Sequence, residues 1–119
     1  MEPILVIYEN PASRCTVQWI LEDAGYEVTS VACGPVAMKV FLATTPRLVI
    51  LDVGPSGNLV RDHCRQIRRR SRNVSLFVLG DQADALSFLK LGVDGYLAKP
   101  FSPLELVARV RVALRHLAS

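Results

Sequence analysis

Three residues in this chain have the chemistry to act together on a phosphoryl group: Glu9, Asp52 and Lys99. Asp52 ends the apolar run Leu48-Val49-Ile50-Leu51 and leads into a loop of Gly, Pro and Ser, "RLVILDVGPSG". A carboxylate so placed can accept a phosphoryl group, a second acid can hold a divalent cation, and a lysine can meet the phosphate charge. An unpaired buried acid is costly, so the pattern places Asp52 at the mouth of a strand rather than in its middle. On this fragment alone it reads equally well as the first residue of a turn, where Asp is common. The ends of the other apolar runs decide between the two.

Those runs are Ile4–Tyr8, Glu27–Val31, Leu48–Leu51, Val74–Leu79 and Gly95–Ala98. The first and third are continuous rather than alternating, the pattern of strands buried on both faces. Helical patterns fill the gaps. Asn10-Pro11 opens the first, Val17, Ile20, Leu21 and Ala24 carry its stripe, and Gly25 closes it. Gly34 to Leu42, Asn58 to Arg70, Gln82 to Leu91 and Ser102 to Leu117 supply four more. The last has a stripe of Leu106, Val110, Ala113, Leu114 and Leu117. A β-α unit repeated five times predicts one α/β domain: a parallel sheet with helices on both faces. In such sheets the site lies beyond the carboxyl ends of the strands. Glu9, Asp52, Asp81 and Lys99-Pro100 all follow such ends, so they converge on one rim.

The bulk composition fits that reading. The chain has 119 residues, half of them hydrophobic, enough for one domain with a core. No apolar run approaches the ~20 residues that span a bilayer, and Met1-Glu2-Pro3 runs straight into a strand, which predicts no signal peptide and no membrane partner. Cys15, Cys33 and Cys64 are far apart, with no CxxC, and read as reduced, mostly buried thiols of a cytoplasmic protein. The net charge of +3 is concentrated in "RQIRRRSRN". With no interleaved aromatic to stack on bases, this segment reads as the solvated end of a helix, not a nucleic-acid patch. His63 and His116 read as helix surface away from the rim. No nucleophile–base pair points to a stand-alone hydrolase, so no enzyme is expected.

The segments "GVDGYLAKPFSPLELVARVRVAL", "RLVILDV" and "ILVIYENP" resemble the receiver domain of bacterial response regulators, and the resemblance covers essentially the whole chain. It implies a flavodoxin-like (βα)5 sheet of order 2-1-3-4-5, with residues 1–119 as the receiver. The final "RVRVALRHLAS" is similar to receivers that precede a winged-helix domain, implying the N-terminal part of a longer response regulator. By the same resemblance Asp52 is the phosphoacceptor, Lys99 contacts the phosphate, Lys99-Pro100 is cis, and Tyr96 is the switch aromatic. Glu9, Asp52 and the carbonyl of Gly54 would hold magnesium.

The chain departs from the family pattern where that chemistry is done. The acidic pair has become Tyr8-Glu9, so magnesium binding is expected to be weak, with no other cofactor. The hydroxyl residue that ends strand four, the second switch position, has become Gly80. Asp81 follows, adding negative charge near the expected phosphate. The stretch from Gly80 to Gly92 is about three residues short of the family length, Pro55 sits one place early, and Val60 replaces a frequent glycine. The expectation is therefore a degenerate receiver that regulates an output domain or partner by protein–protein contacts, with weak or no phosphorylation. The alternative is a conventional magnesium-dependent phosphoacceptor served by a histidine kinase. Glu105 and Arg109 match family dimer positions whose partners here are Ala85 and Gly95, so a monomer or weak homodimer is expected.

Overall fold

Val, Ile and Leu crowd the first, third and fourth apolar runs because both faces of those strands are covered. The structure, a computed structural model, describes residues 3–55 and 57–118, with side chains as far as residue 115. The strands are β1 (Pro3–Ile7), β2 (Glu27–Val31), β3 (Leu48–Asp52), β4 (Ser75–Gly80) and β5 (Gly95–Ala98). All pair in parallel, in the order β2-β1-β3-β4-β5. Every residue of β3 and β4 is buried, whereas edge strand β2 keeps exposed positions.

Alternation along the strands divides the core in two. Ile4, Val6, Leu48, Ile50 and Leu79 pack with α1 (Pro11–Asp23) and α5 (Pro103–Ala118) on one face. Leu5, Ile7, Val49, Leu51 and Val78 pack on the other with α2 (Pro35–Thr44), α3 (Gly57–Arg70) and α4 (Ala85–Leu89). Period two carries Tyr8 and Asp52 onto the α1/α5 side, together.

Local chemistry sets the helix ends. The Asn10 side chain accepts from Ser13 N–H at 3.1 Å, Pro11 occupies the first turn, and Gly25 leaves α1 at φ +99°. The arginine run ends α3 as expected, but one member turns inward. Arg68 donates to the carbonyls of Gly92 (2.9 Å) and Val74 (2.7 Å) and pairs with Asp94, tying α3 to the start of β5.

Four expectations need correction. The helix anticipated from Gln82 to Leu91 is a 3₁₀ turn, Gln82–Asp84, followed by the five residues of α4. Asp84 N–H bonds back three residues to Asp81 O, which closes the tighter turn, and Phe88 is the one buried residue of α4. The third strand runs one residue past the expected Leu51 and takes in Asp52, which sits buried at its carboxyl end. Cys15 is exposed, Cys33 half-buried and Cys64 buried, so the thiols are not uniformly interior. His63 is not on the helix surface: it is 2% exposed and its Nε2 accepts from Gly34 N–H at 3.0 Å, joining α3 to the start of α2. Val60, His63, Cys64 and Ile67 form one inward stripe. His116 and Leu117 lie outside the described side chains.

The His63 contact makes a pH prediction. An imidazole that accepts at Nε2 must be neutral, and burial lowers its pKa below the ordinary 6.5, with Asp62 opposing the shift. A histidine with a lowered folded pKa contributes full stability above the unfolded value, and stability falls as pH drops below it. Unfolding free energy should therefore decline between about pH 7 and pH 5.5, above most carboxylate titration. In His63→Gln, whose side chain can still accept, denaturant titrations should show a flatter profile. An unchanged slope in the variant would contradict the assignment.

Candidate functional site

The sheet brings four of the expected residues to one rim. Asp52, last residue of β3, is 4% exposed, and its Oδ1 pairs with Lys99 Nζ from just beyond β5. Lys99 is held by its backbone N–H, which donates to Gly80 O at 2.8 Å, and the Lys99–Pro100 peptide is cis, as the resemblance implies. The ammonium also sits over the Tyr8 ring, 5.4 Å from its centroid. Burial opposes the charged form of Lys99. The hydrogen bond and charge of Asp52 nonetheless outweigh it, with help from Tyr8, and raise the pKa above 10.5. Burial and the Asp52 charge push the Tyr8 phenol above its ordinary 10.0.

The Tyr8 phenol lies against the site, close enough to Asp52 and Lys99 to interact with both. It is 7% exposed and belongs to the core beneath α1 and α5, where its ring walls one side of the carboxylate. Backbone bonds fix it there: Tyr8 N–H donates to Val31 O at 3.0 Å and Arg14 donates to Tyr8 O at 3.0 Å.

Glu9 and Gly54 lie on the open side. A Cβ built on Gly54 would sit 3.4 Å from Asp52 Oδ2 and 3.8 Å from Glu9 Oε2, so two carboxylate oxygens approach one point. Half-buried Cys33 completes the neighbourhood. Burial, then the charges of Glu9 and Asp52, raise its thiol pKa above 9.0. Among the described residues no group of three or more His, Cys, Asp and Glu is placed to hold a metal ion.

Gly80 and Tyr96, the two positions expected to form the switch, meet in space. A Cβ on Gly80 would lie 2.5 Å from the Tyr96 hydroxyl and 3.0 Å from Val53 Cβ. The phenol thus fills the volume that a side chain at position 80 would need. It donates to Asp81 O at 2.6 Å, and its ring lies 6.0 Å from that of Phe88, over which the Arg61 guanidinium stacks at 4.3 Å. Burial, with Asp84 and Asp81 nearby, pushes the Tyr96 pKa to about 12, so the hydroxyl keeps its proton. The side chain of Asp81 is exposed, and its inward contribution is the carbonyl. The sequence singles out both positions but not their contact, nor the stacking of Arg61 on Phe88 beside them. The signal was the loss of a side chain at Gly80 beside a large residue that needs room.

A family model for the response regulator receiver domain matches residues 4–111. The chain belongs to that family. This receiver is 40% identical over 114 residues to the "probable transcriptional regulator ycf27" of Cyanophora paradoxa, an alignment covering 94% of this chain and 48% of that protein. It is 32% identical over 117 residues to the sensory transduction protein RegX3 of Mycobacterium tuberculosis, covering 97% and 52%. The chain spans about half the length of the curated relatives it matches. Among solved structures, a putative response regulator from Chloroflexus aurantiacus superposes with TM-score 0.88 at 28% identity, covering 99% of this chain and 98% of that one. The receiver domain of the TMAO respiratory response regulator TorR gives 0.87 at 26% identity, covering 98% and 99%.

Proposed function

We propose that this domain is an atypical receiver, which controls an output domain or partner through its surface with weak or no phosphorylation of Asp52. The observation that carries the reading is the Tyr96 hydroxyl filling the place of a side chain at Gly80. The residue expected to grip a phosphoryl group at that strand end is missing, and the aromatic that would move in response is already seated. Asp52 and Lys99 keep the phosphoacceptor and phosphate-contacting positions, so the site is an altered version of the family's, used to hold a conformation rather than for turnover as an enzyme. The greater length of the relatives supports an output domain beyond this one, and the likeness to the probable transcriptional regulator of Cyanophora paradoxa supports a transcriptional role. No helix among the described residues is long and apolar enough to cross a membrane, which fits a cytoplasmic location. Exposure to a small phosphodonor with magnesium, read by intact mass, tests the reading. Labelling should be slow or absent, and rapid stoichiometric labelling that is lost in Asp52→Asn would overturn it.

One observation favours the second reading, a magnesium-dependent phosphoacceptor served by a histidine kinase: the approach of Glu9 Oε2 and Asp52 Oδ2 to one point beside Gly54. Those two carboxylates, with the Gly54 carbonyl, are the residues that would hold the ion, and magnesium would neutralise charge on an incoming phosphoryl group. The donor set fits magnesium poorly, because Tyr8 stands in the core where a further acid is expected and the ion surrenders water reluctantly. About 10 mM magnesium should raise the melting temperature by only ~2 °C or less, the result for a dissociation constant of ~10 mM or weaker. A rise above ~5 °C that vanishes in Glu9→Gln would support the phosphoacceptor reading instead. Calcium or sodium at matched ionic strength controls for screening.

A further inference from the structure

The outer faces of α2 and α3 form a surface that the rim chemistry does not use. Met38 and Leu42 lie four residues apart along α2, with Thr45 just past its end, opposite Gln66, Arg69 and Arg70 on α3. Two adjoining grooves open between them. One, of about 350 Å³, is lined by Met38, Leu42, Gln66, Arg69 and Arg70. The other, of about 470 Å³, shares Leu42 and Arg70 and adds Phe41, Pro46, Ser71 and Val74. Neither contains an acid. Leu42, common to both, is 49% exposed and offers an apolar contact between the two concavities.

The charges beside the grooves are uncompensated. Arg65 is paired with Asp62 at 3.0 Å and Arg68 with Asp94, but Arg69 and Arg70 are exposed and have no ion pair among the described residues. A guanidinium presents a planar fork that matches a carboxylate with two parallel hydrogen bonds. We infer that the α2–α3 groove docks an acidic, amphipathic peptide segment of a protein partner, with an apolar side chain against Leu42 and carboxylates on Arg69 and Arg70. Charge complementarity selects the acids and the greasy floor selects the apolar anchor. A nucleic acid suits the surface less well: Phe41, the aromatic in the lining, is 5% exposed, and no base can stack on it. The docking site is independent of phosphorylation and gives the rim reading above neither support nor contradiction.

A random peptide library of about 12 residues displayed on phage tests the inference on the 119-residue chain. Counter-selection on Arg69→Glu/Arg70→Glu removes peptides that bind elsewhere. Both arginines are exposed, and a matched melting curve verifies that the variant folds. The surviving pool should be rich in Asp and Glu with at least one large apolar residue. A synthetic representative should lose about tenfold or more in affinity for the arginine variant and for Leu42→Ser, and should weaken as salt rises. Its amide shifts should cluster on Met38, Leu42, Arg69 and Arg70. An empty pool after counter-selection would overturn the inference, as would peptides indifferent to Leu42→Ser. Tighter binding of oligo(dT) at the same amides would overturn it in favour of nucleic acid.

Discussion

Gly80→Thr should destabilise the domain by about 1–3 kcal/mol, the range for forcing extra atoms into a packed interior. For a domain of this size that corresponds to a fall of roughly 5–20 °C in melting temperature. A Cβ at position 80 meets the Tyr96 hydroxyl at 2.5 Å and Val53 at 3.0 and 3.2 Å. The threonine methyl and hydroxyl would extend from that already crowded point. Relief requires Tyr96 to leave, which breaks its bond to Asp81 O and parts it from Phe88. Tyr96→Phe alone should cost about 1 kcal/mol, the worth of one hydrogen bond. Because the two residues compete for one volume, the double variant should be more stable than the summed single effects imply. A Gly80→Thr protein that melts as the wild type does, with Tyr96 still seated, would contradict the packing account. Adding back a hydroxyl residue is therefore no simple repair of the site, because the chain has used the vacated space.

Lys99→Met should cost more than Asp52→Asn, although both break the same ion pair. The asymmetry comes from burial: the Asp52 side chain is 5% exposed, while that of Lys99 is 34% exposed. Removing the lysine leaves a carboxylate in the core without its cation, a loss of about 3–5 kcal/mol in fully buried pairs and about 2–3 kcal/mol here, where water reaches the lysine side. Removing the carboxylate's charge leaves an ammonium that can turn to solvent and still lies over the Tyr8 ring, so about 1 kcal/mol or less is expected, as for partly exposed pairs. Denaturant titration of the two variants gives the order directly. Equal losses, or a larger loss in Asp52→Asn, would mean that the carboxylate is better solvated than its burial indicates.

The sheet was legible because its signals are local and redundant. Continuous Val and Ile runs mark strands covered on both faces, Asn10-Pro11 and Gly25 bracket α1, and "YLAKP" fixes the edge strand and its lysine. The departures at Tyr8 and Gly80 were legible too, as residue types. What they do was not, because it depends on contacts between elements. Nothing local states that Tyr8 turns into the α1/α5 core, or that the Tyr96 phenol reaches the missing side chain at Gly80. The α4 segment misled for a different reason. Gln82 to Leu91 has the composition of a helix, but Asp81 O is shared by Asp84 N–H and the Tyr96 hydroxyl, so the chain begins with a tighter turn. His63 was misread although its signal was present. It falls between Val60 and Ile67 on the inward stripe, and that spacing should have outweighed the polarity of its ring.

With the Tyr96 hydroxyl seated against Gly80 in the absence of a phosphoryl group, the aromatic should not respond to one. The direct measurement is a beryllofluoride titration with magnesium, followed through the amide signals of Gly80, Asp81, Tyr96 and Lys99. These signals should stay where they are at concentrations that would saturate a working phosphoacceptor. Saturable shifts at those four positions, abolished by Asp52→Asn, would show that the site still binds a phosphoryl mimic and moves its aromatic in response, and would contradict the account.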